Sequence, residues 1–96
     1  MIIKGFIWLT DFVDKLESKH DVSVYEAESI FTGKPVYKKI QKGRVKDENL
    51  YRALGKTESG RYLAVFFIYK KTHEVPIISA RDMTEKERKN YAKRRR

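Results

Sequence analysis

The sequence contains no cysteine, so disulfide bridges, thiolate metal sites and cysteine nucleophiles are excluded. Its two histidines, His20 and His73, lie far apart in the chain, and we expect no metal site. No apolar run approaches the roughly 18 residues that a membrane helix needs, and the first residues lack the pattern of a signal peptide. We therefore expect a cytoplasmic protein that uses no cofactor and does not enter a membrane.

Several enzyme signatures are also missing from the chain. The GxGxxG dinucleotide motif, the P-loop, the HExxH zinc motif and the GxSxG nucleophile elbow do not occur. Spacing alone therefore assigns no catalytic class, and any chemistry has to come from residues that are scattered along the sequence.

Positive charge is what the chain has in excess. Among its 96 residues, 22 are Lys or Arg and 13 are Asp or Glu, for a formal net charge of +9. The charge is uneven, because residues 81–96 hold eight basic and three acidic groups, whereas residues 11–28 hold six acidic and three basic groups with His20 counted. Such a field favours polyanions as partners: RNA, DNA or an acidic protein. The alternative is that the charges only keep the protein soluble.

The length supports one domain over residues 1–96, with residues 94–96 as a frayed basic tail. Hydrophobic periodicity and capping boxes at Ser23–Glu26 and Thr84–Glu87 predict the order β-α-α-β-β-β-β-α. The predicted elements span residues 2–8, 10–20, 23–31, 36–41, 49–54, 61–69, 75–80 and 84–94. Gly55 should stop one strand, and Pro76 should mark an edge or a bulge. The fold class is α+β, with two N-terminal helices on one face of a small, mostly antiparallel twisted sheet and a C-terminal helix.

Basic residues interleaved with aromatic residues are typical of single-stranded RNA binding, since cations neutralise phosphates and rings stack on bases. The candidate RNA-binding residues are Tyr51, Arg52, Lys70, Arg88 and Tyr91. The alternative places the tyrosines in the core and the cations on an ordinary surface, and it is favoured strongly for Tyr62 and Phe66.

RNA cleavage without a metal requires a base near the 2′-hydroxyl, an acid near the 5′-oxygen and cations at the phosphoryl oxygens. His20 and Glu48 are candidate bases, and Arg61 and Arg81, with Arg52, are candidate stabilisers. Tyr51, Tyr91 or a lysine could donate the proton. Structural alternatives remain open. His20 could cap a helix end. Arg81 could pair with Asp82, Glu85 or Asp47.

The assembled motifs resemble those of the BrnT family, toxins of type II toxin–antitoxin modules. The resemblance covers residues 6–91 and rests on Trp8, on Lys19-His20-Asp21-Val22-Ser23 with Glu26, on Leu54-Gly55-Lys56-Thr57, on Gly60-Arg61-Tyr62-Leu63, and on Ile77-Ile78-Ser79-Ala80-Arg81-Asp82-Met83-Thr84 with Glu87-Arg88 and Tyr91. The strand-end ISARDM with its following helix is the most specific part. Among the candidate site residues, His20, Arg61 and Arg81 match these motifs best.

The resemblance implies a RelE-like ribonuclease fold and metal-independent cleavage of mRNA. It also implies inhibition by a BrnA-like antitoxin, a ribbon-helix-helix protein through which the pair would contact operator DNA, and it allows a homodimer within that complex. Two positions depart from the family pattern. Asp21 replaces a usual Gly, and Leu50 replaces an Arg for which Arg52 or Arg44 could substitute.

Three hypotheses follow from the sequence. The first is an endoribonuclease toxin held inactive by its antitoxin. The second, motivated by Leu50, is an inactive toxin homologue that acts as an RNA- or protein-binding module. The third is an obligate structural subunit whose last helix docks on a partner.

Overall fold

The computed structural model describes residues 1–46 and 48–94. The elements are β1 (Gly5–Ile7), α1 (Thr10–His20), α2 (Val24–Ser29), a 3-10 turn (Ile30–Thr32), β2 (Val36–Gln41), β3 (Asn49–Lys56), β4 (Tyr62–Tyr69), β5 (Glu74–Asp82) and α3 (Glu85–Arg94). Arg94 is the last helical residue. The rest of the predicted tail, residues 95–96, and the suggested Asp47 partner of Arg81 lie outside the described residues.

The five strands form one mixed sheet in the order β1-β5-β4-β3-β2. Every neighbouring pair is antiparallel except β1 and β5, which run parallel. The apolar run in β4 lies in the centre of the sheet and β2 lies at an edge, as their sequences predict. The α+β class and the mostly antiparallel sheet are thereby confirmed. No helix in the described part of the chain has the length and apolar character to span a bilayer.

The sheet has two faces with different covers. On the helix face, side chains of α1, α2 and the 3-10 turn pack on alternate residues of β4, and this cluster includes Leu16, Val22, Ala27, Ile30, Leu63, Val65 and Phe67. On the opposite face, which we call the α3 face, Leu54 and Ala64 pack with Met83 and Tyr91, and Tyr62 and Phe66 border them. The interior of β4 is apolar almost throughout because both of its faces are covered.

Both predicted capping boxes are present. The Ser23 hydroxyl accepts from the Glu26 amide and the Glu26 carboxylate accepts from the Ser23 amide. Thr84 and Glu87 make the same reciprocal bonds at the start of α3. Asp21 ends α1 in the left-handed conformation at φ 51°. This is a conformation that Gly adopts more easily than Asp.

Two strands differ in extent from their predicted bounds. Gly55 does not stop β3, which continues to Lys56. A Cβ atom on Gly55 would lie 2.6 Å from Cβ of Ile30, so the glycine lets the 3-10 turn approach the strand. β5 is longer than predicted and is an internal strand, so Pro76 is not at an edge. A register shift two residues after Pro76 leaves Ile78 unpaired with β4, which is the predicted bulge.

Candidate functional site

A cluster of two arginines and one glutamate lies on the α3 face. Arg52 from β3 and Arg81 from β5 flank the central strand, where their registered partners are Phe66 and Ala64. Glu87, in the first turn of α3, accepts from Arg81 Nη1 at 2.6 Å and from Nη2 at 3.0 Å. Arg52 Nη1 lies 3.5 Å from the same carboxylate. We call Arg52, Arg81 and Glu87 the arginine cluster.

The electrostatics of the arginine cluster leave it positive. Burial opposes ionisation of Glu87, but the bonds from Arg81 and from the Thr84 amide prevail and hold its pKa below the usual range. The same bond raises the pKa of Arg81. One buried carboxylate therefore faces two guanidinium groups. Arg52 Nε is buried and, within the described part of the chain, has no hydrogen-bond partner. A buried N–H without an acceptor is costly to the fold, and the part of the cluster that an anion can reach is the Arg81 guanidinium, whose side chain is 34% exposed.

A cavity of about 290 Å³ lies on the same face, beside the area that α3 covers. It is at the end of the sheet where β3 begins and β4 ends, which we call the lower end. We call the cavity the lower pocket. Its floor is apolar, formed by Leu50, Ile68 and Ile78, and its rim includes Lys42, Arg44 and Glu48. Leu50 and Arg52 are alternate residues of β3 and share this face. Arg52 and Arg44, which the sequence analysis offered as substitutes for an Arg at position 50, thus both lie close to Leu50 in the fold.

Close backbone approach shapes the rim of the lower pocket. A Cβ atom on Gly43 would lie 2.0 Å from the carbonyl oxygen of Glu48, so only glycine fits there. The turn is closed by the Glu48 amide, which donates to the carbonyl of Val45 at 3.2 Å. This turn brings Glu48 to the cavity on the α3 face.

Arg61 is the centre of a separate network at the end of the sheet where β4 begins and β5 ends, which we call the top edge. Its Nε and Nη2 donate to the two carboxylate oxygens of Asp82 at 2.7 and 3.1 Å. Nη1 donates to the carbonyl of Asp21 at 2.6 Å and approaches both oxygens of Glu26 at 3.3 and 3.4 Å. Nη2 also donates to the carbonyl of His20 at 3.1 Å. Arg61 therefore ties the end of α1 to β5.

Asp82 connects this network to the arginine cluster. Its carboxylate pairs with Arg61, whereas its carbonyl accepts from Arg81 Nη1 at 3.1 Å. The Arg61 bond, and to a smaller degree the nearby His20, lower the pKa of Asp82. His20, Arg61 and Arg81 are thus brought into one continuous network, although only Arg81 lies on the α3 face with Arg52.

The other candidate RNA contacts lie in two places. Arg88 and Tyr91 are on α3, where the Arg88 guanidinium covers the Tyr62 ring at 4.1 Å and Tyr91 is buried edge-on against Tyr62. Tyr51 and Lys70 lie on the other face of the sheet, at its lower end. There they border a cavity of about 470 Å³ with Asn49, Tyr69, Lys71 and His73, which we call the His73 pocket.

Sequence reasoning did not select Glu87 or His73 as site residues. Glu87 entered the sequence analysis as a helix cap and as part of the BrnT-like motif, but its spacing from Thr84 carries no information about the arginines of two distant strands. His73 is one of only two histidines in the sequence, which makes it a candidate for a functional role, but its sequence neighbours do not predict a pocket. Among the described residues, no group of three His, Cys, Asp or Glu side chains could hold a metal ion.

The sequence of this protein matches a known protein family. Residues 13–87 match the family model described as the ribonuclease toxin BrnT of type II toxin–antitoxin systems. This chain belongs to the BrnT family. The matched region includes the complete arginine cluster and the Arg61 network. The resemblance inferred from the sequence motifs is thus confirmed.

The fold of this BrnT-family protein is similar to that of a solved relative. The crystal structure of the Brucella abortus ribonuclease toxin BrnT superposes with a TM-score of 0.59 at 18% identity, covering 84% of this chain and 97% of that one. At this identity, the likeness supports the fold alone. No curated protein sequence matches the chain.

Proposed function

We propose that this BrnT-family protein is an endoribonuclease toxin whose active site is the arginine cluster together with the lower pocket. The observation that carries the proposal is the pair of guanidinium groups from β3 and β5 that share the single Glu87 carboxylate, with the Arg81 side chain 34% exposed. A phosphodiester oxygen would accept from the exposed part of the Arg81 guanidinium, which stabilises the charge that develops on the phosphoryl group, while Arg52 adds positive charge beneath it. Guanidinium groups can supply this stabilisation without a metal ion.

The proposed chemistry is attack of a 2′-hydroxyl on its own phosphodiester, which releases a 5′-hydroxyl and leaves a 2′,3′-cyclic phosphate. Glu48 is our candidate base because it borders the lower pocket beside the cluster. Lys42 borders the same pocket and is our candidate acid. The apolar floor of Leu50, Ile68 and Ile78 would receive a base of the substrate. Arg61, whose guanidinium donors are all engaged, is proposed as a positioning residue for the end of β5.

The proposed target, location and inhibitor of the toxin are those that membership of the BrnT family suggests. We propose mRNA as the target, the cytoplasm as the site of action, and a ribbon-helix-helix antitoxin encoded by the neighbouring open reading frame as the inhibitor. Operator DNA would be contacted through that antitoxin. The formal net charge of +9 supports both an RNA substrate and an acidic segment of an antitoxin as ligands.

The test compares wild type with Arg81→Ala in RNA cleavage by purified protein, with and without EDTA. We expect wild type to produce 2′,3′-cyclic phosphate ends in both conditions and Arg81→Ala to cleave about 100-fold more slowly. Lys89→Ala is the matched control, because Lys89 is an exposed cation on α3 whose ion partner is Glu85. Arg81→Lys keeps the charge and serves if Arg81→Ala does not fold. Wild-type rates in folded Arg81→Ala would contradict the site.

Expression in bacteria tests the biological role. Induction of wild type should arrest growth, and co-expression of the neighbouring open reading frame or the Arg81→Ala change should restore it. Absence of both arrest and cleavage in a folded wild-type protein would favour the inactive binding module, and Leu50→Arg would then be the first reversion to examine.

A further inference from the structure

The His73 pocket lies on the helix face, on the opposite side of the sheet from the arginine cluster, and the proposed cleavage chemistry does not use it. It combines two tyrosine rings, two lysines, an amide and an imidazole around about 470 Å³. A ring system beside cations is the surface that a nucleotide recognises, because every base has a face that stacks and every phosphate is an anion.

The hydrogen bonds around Tyr69 define the orientation of the His73 imidazole. The Tyr69 oxygen lies 2.5 Å from the carbonyl of Ile2 and 2.6 Å from Nδ1 of His73. A carbonyl can only accept, so the single phenol proton is donated to Ile2. Nδ1 of His73 must then carry the proton that is donated to Tyr69. In the neutral ring this leaves Nε2 as an acceptor that can receive a hydrogen bond from a ligand hydroxyl or amine.

His73 holds this place in an unfavourable backbone conformation. Its φ is +69°, in the left-handed region that glycine and asparagine adopt more easily. Its amide donates to the carbonyl of Lys70 at 2.9 Å and its carbonyl accepts from the Lys4 amide at 2.9 Å, which fixes the turn. The left-handed conformation and these two backbone bonds together direct the imidazole toward Tyr69.

The tyrosines form one end of an aromatic row on the helix face. Tyr51 stacks on Phe67 with 5.9 Å between ring centroids and an interplanar angle of 19°, and it meets Tyr69 edge-on at 6.3 Å. Asn49 Oδ1 accepts from the Gly43 amide at 2.9 Å, so its Nδ2 group remains to donate to a base carbonyl. Ring faces and an amide at the mouth of a pocket suit an unstacked base.

A basic groove connects this pocket to the lower pocket around the end of the sheet. The loop after β2 borders a further cavity that shares Lys42, Gly43 and Arg44 with the lower pocket and Asn49 with the His73 pocket. Lys46 also borders this middle cavity, and Lys70 and Lys71 continue the positive charge beyond Asn49. A single strand could therefore pass from one face to the other while its phosphates contact successive cations.

We propose that the His73 pocket is a second nucleotide subsite, which binds one base and phosphate of a single-stranded RNA outside the cleavage site. The base stacks with Tyr51 and Tyr69, an amino group of the base donates to Nε2 of His73, and the phosphate pairs with Lys70 and Lys71. The proposal rests on the proposed function, since it takes RNA as the ligand. It predicts that affinity depends on residues that contribute nothing to the chemical step.

The experiment measures fluorescence anisotropy of a labelled 2′-O-methyl oligonucleotide of about eight nucleotides, which binds but cannot undergo 2′-hydroxyl attack. Tyr51→Leu and Lys70→Ala should each raise Kd about tenfold. Lys70→Ala should also reduce the slope of log Kd against log salt by about one, whereas Tyr51→Leu should leave the slope unchanged. Lys15→Ala, which removes an exposed cation from α1, is the charge-matched control and should bind like wild type.

His73→Asn provides an independent measurement, because asparagine tolerates the left-handed conformation without offering an imidazole. It should retain wild-type thermal stability and lose affinity. Wild-type affinity in folded Tyr51→Leu, Lys70→Ala and His73→Asn would overturn the subsite. Wild-type RNA affinity combined with loss of antitoxin binding would also overturn it, in favour of a protein-binding surface.

Parallel cleavage assays on an all-RNA substrate separate this proposal from the cleavage mechanism. Cleavage by wild type, with no dependence of binding on the pocket, overturns the subsite and leaves the active site intact. Binding of the methylated strand that depends on the pocket, without any cleavage of RNA, supports the subsite and contradicts the proposed ribonuclease site.

Discussion

The arginines of this protein differ in how their donors are used. Arg61 donates from all three guanidinium nitrogens to carboxylates and helix-end carbonyls, and Asp82 and Glu26 hold its pKa well above the usual range. Arg81, by contrast, pairs with Glu87 and with the Asp82 carbonyl while its side chain stays 34% exposed. A fully paired guanidinium holds structure together, whereas a partly exposed one can still bind an anion.

Arg61→Ala is therefore expected to reduce stability. Loss of the bonds to Asp82, Glu26 and the end of α1 should lower the free energy of unfolding by about 2 kcal/mol, measured by urea denaturation. Arg61→Lys should recover only part of the loss, because an ammonium cannot reproduce the planar fork. Unchanged stability together with abolished RNA cleavage would instead assign Arg61 a direct role in catalysis.

At the scale of elements, the connection from β5 into α3 builds the arginine cluster. The Thr84–Glu87 capping box starts the helix, and the same Glu87 carboxylate receives Arg81 and Arg52. One side chain thus caps a helix and orients two cations. Tyr91, one turn later on the same helix, anchors α3 on Tyr62 at 6.0 Å. Displacing α3 would remove Glu87 from Arg52 and Arg81 and so separate the members of the cluster, even with both arginines unchanged.

This arrangement makes stability dependent on acid. The pKa values of Glu26, Asp82 and Glu87 are lowered in the fold, chiefly by the Ser23 amide, by Arg61, and by Arg81 against the effect of burial, respectively. A lowered carboxyl pKa contributes stability above the unfolded value of about 4, and this stability is lost as the pH falls through the folded value. The free energy of unfolding should therefore decrease from about pH 5 to about pH 2.

Glu87→Gln isolates the contribution of α3 to this acid dependence. The variant should be about 2 kcal/mol less stable than wild type at neutral pH, and the gap should narrow as the pH falls below the ordinary carboxyl range, because protonation removes the charge of Glu87. Urea denaturation at neutral pH and at a series of acidic pH values measures it. Glu85→Gln is the control on the same helix, since Glu85 is exposed and pairs only with Lys89 among the residues described. A gap independent of pH would contradict the charged role of Glu87.

At the scale of the whole molecule, RNA affinity could depend on the net charge of the protein or on the basic groove around the lower end of the sheet. Two double variants remove the same charge: Lys42→Glu with Arg44→Glu in the groove, and Lys15→Glu with Lys19→Glu on α1. All four side chains are exposed.

The groove pair should weaken oligonucleotide binding about 100-fold and reduce the salt slope, because it removes phosphate contacts. The α1 pair should change affinity only a few-fold, through the weaker long-range field. Equal losses would favour a non-specific electrostatic effect over the groove.

How far the sequence predicts this protein depends on the range of the interaction involved. Element order, both capping boxes and the central position of β4 follow from residues within a few positions of one another, and these predictions are confirmed. Gly55 was misread as a strand end because its reason is a 2.6 Å approach to Ile30, which no local pattern contains. The extension of β5 to Asp82 was missed because that end is held from β4 and the residue before it: Arg61 pairs with Asp82, and the Tyr62 carbonyl accepts from the Met83 amide.

The candidate site was only partly predictable for the same reason. Arg52 and Arg81 were selected by residue type, and the motifs around Arg61 and Arg81 carried the resemblance to the BrnT family. Their separation into a cluster on the α3 face and a network at the top edge depends on strand register, and a shift of one residue reverses the face. Tyr91 could equally have stacked on a base or entered the core, and the docking of α3 buries it.

The sequence by itself determined the fold class, the family and the positive charge, because periodicity, capping and composition are written in neighbouring residues. Only the tertiary structure decided which cations share a carboxylate, which arginine N–H has no partner among the described residues, and that Tyr51, Lys70 and His73 border one pocket. These arrangements join β3, β4, β5 and α3 across long stretches of chain, and such distances are defined by packing rather than by local pattern.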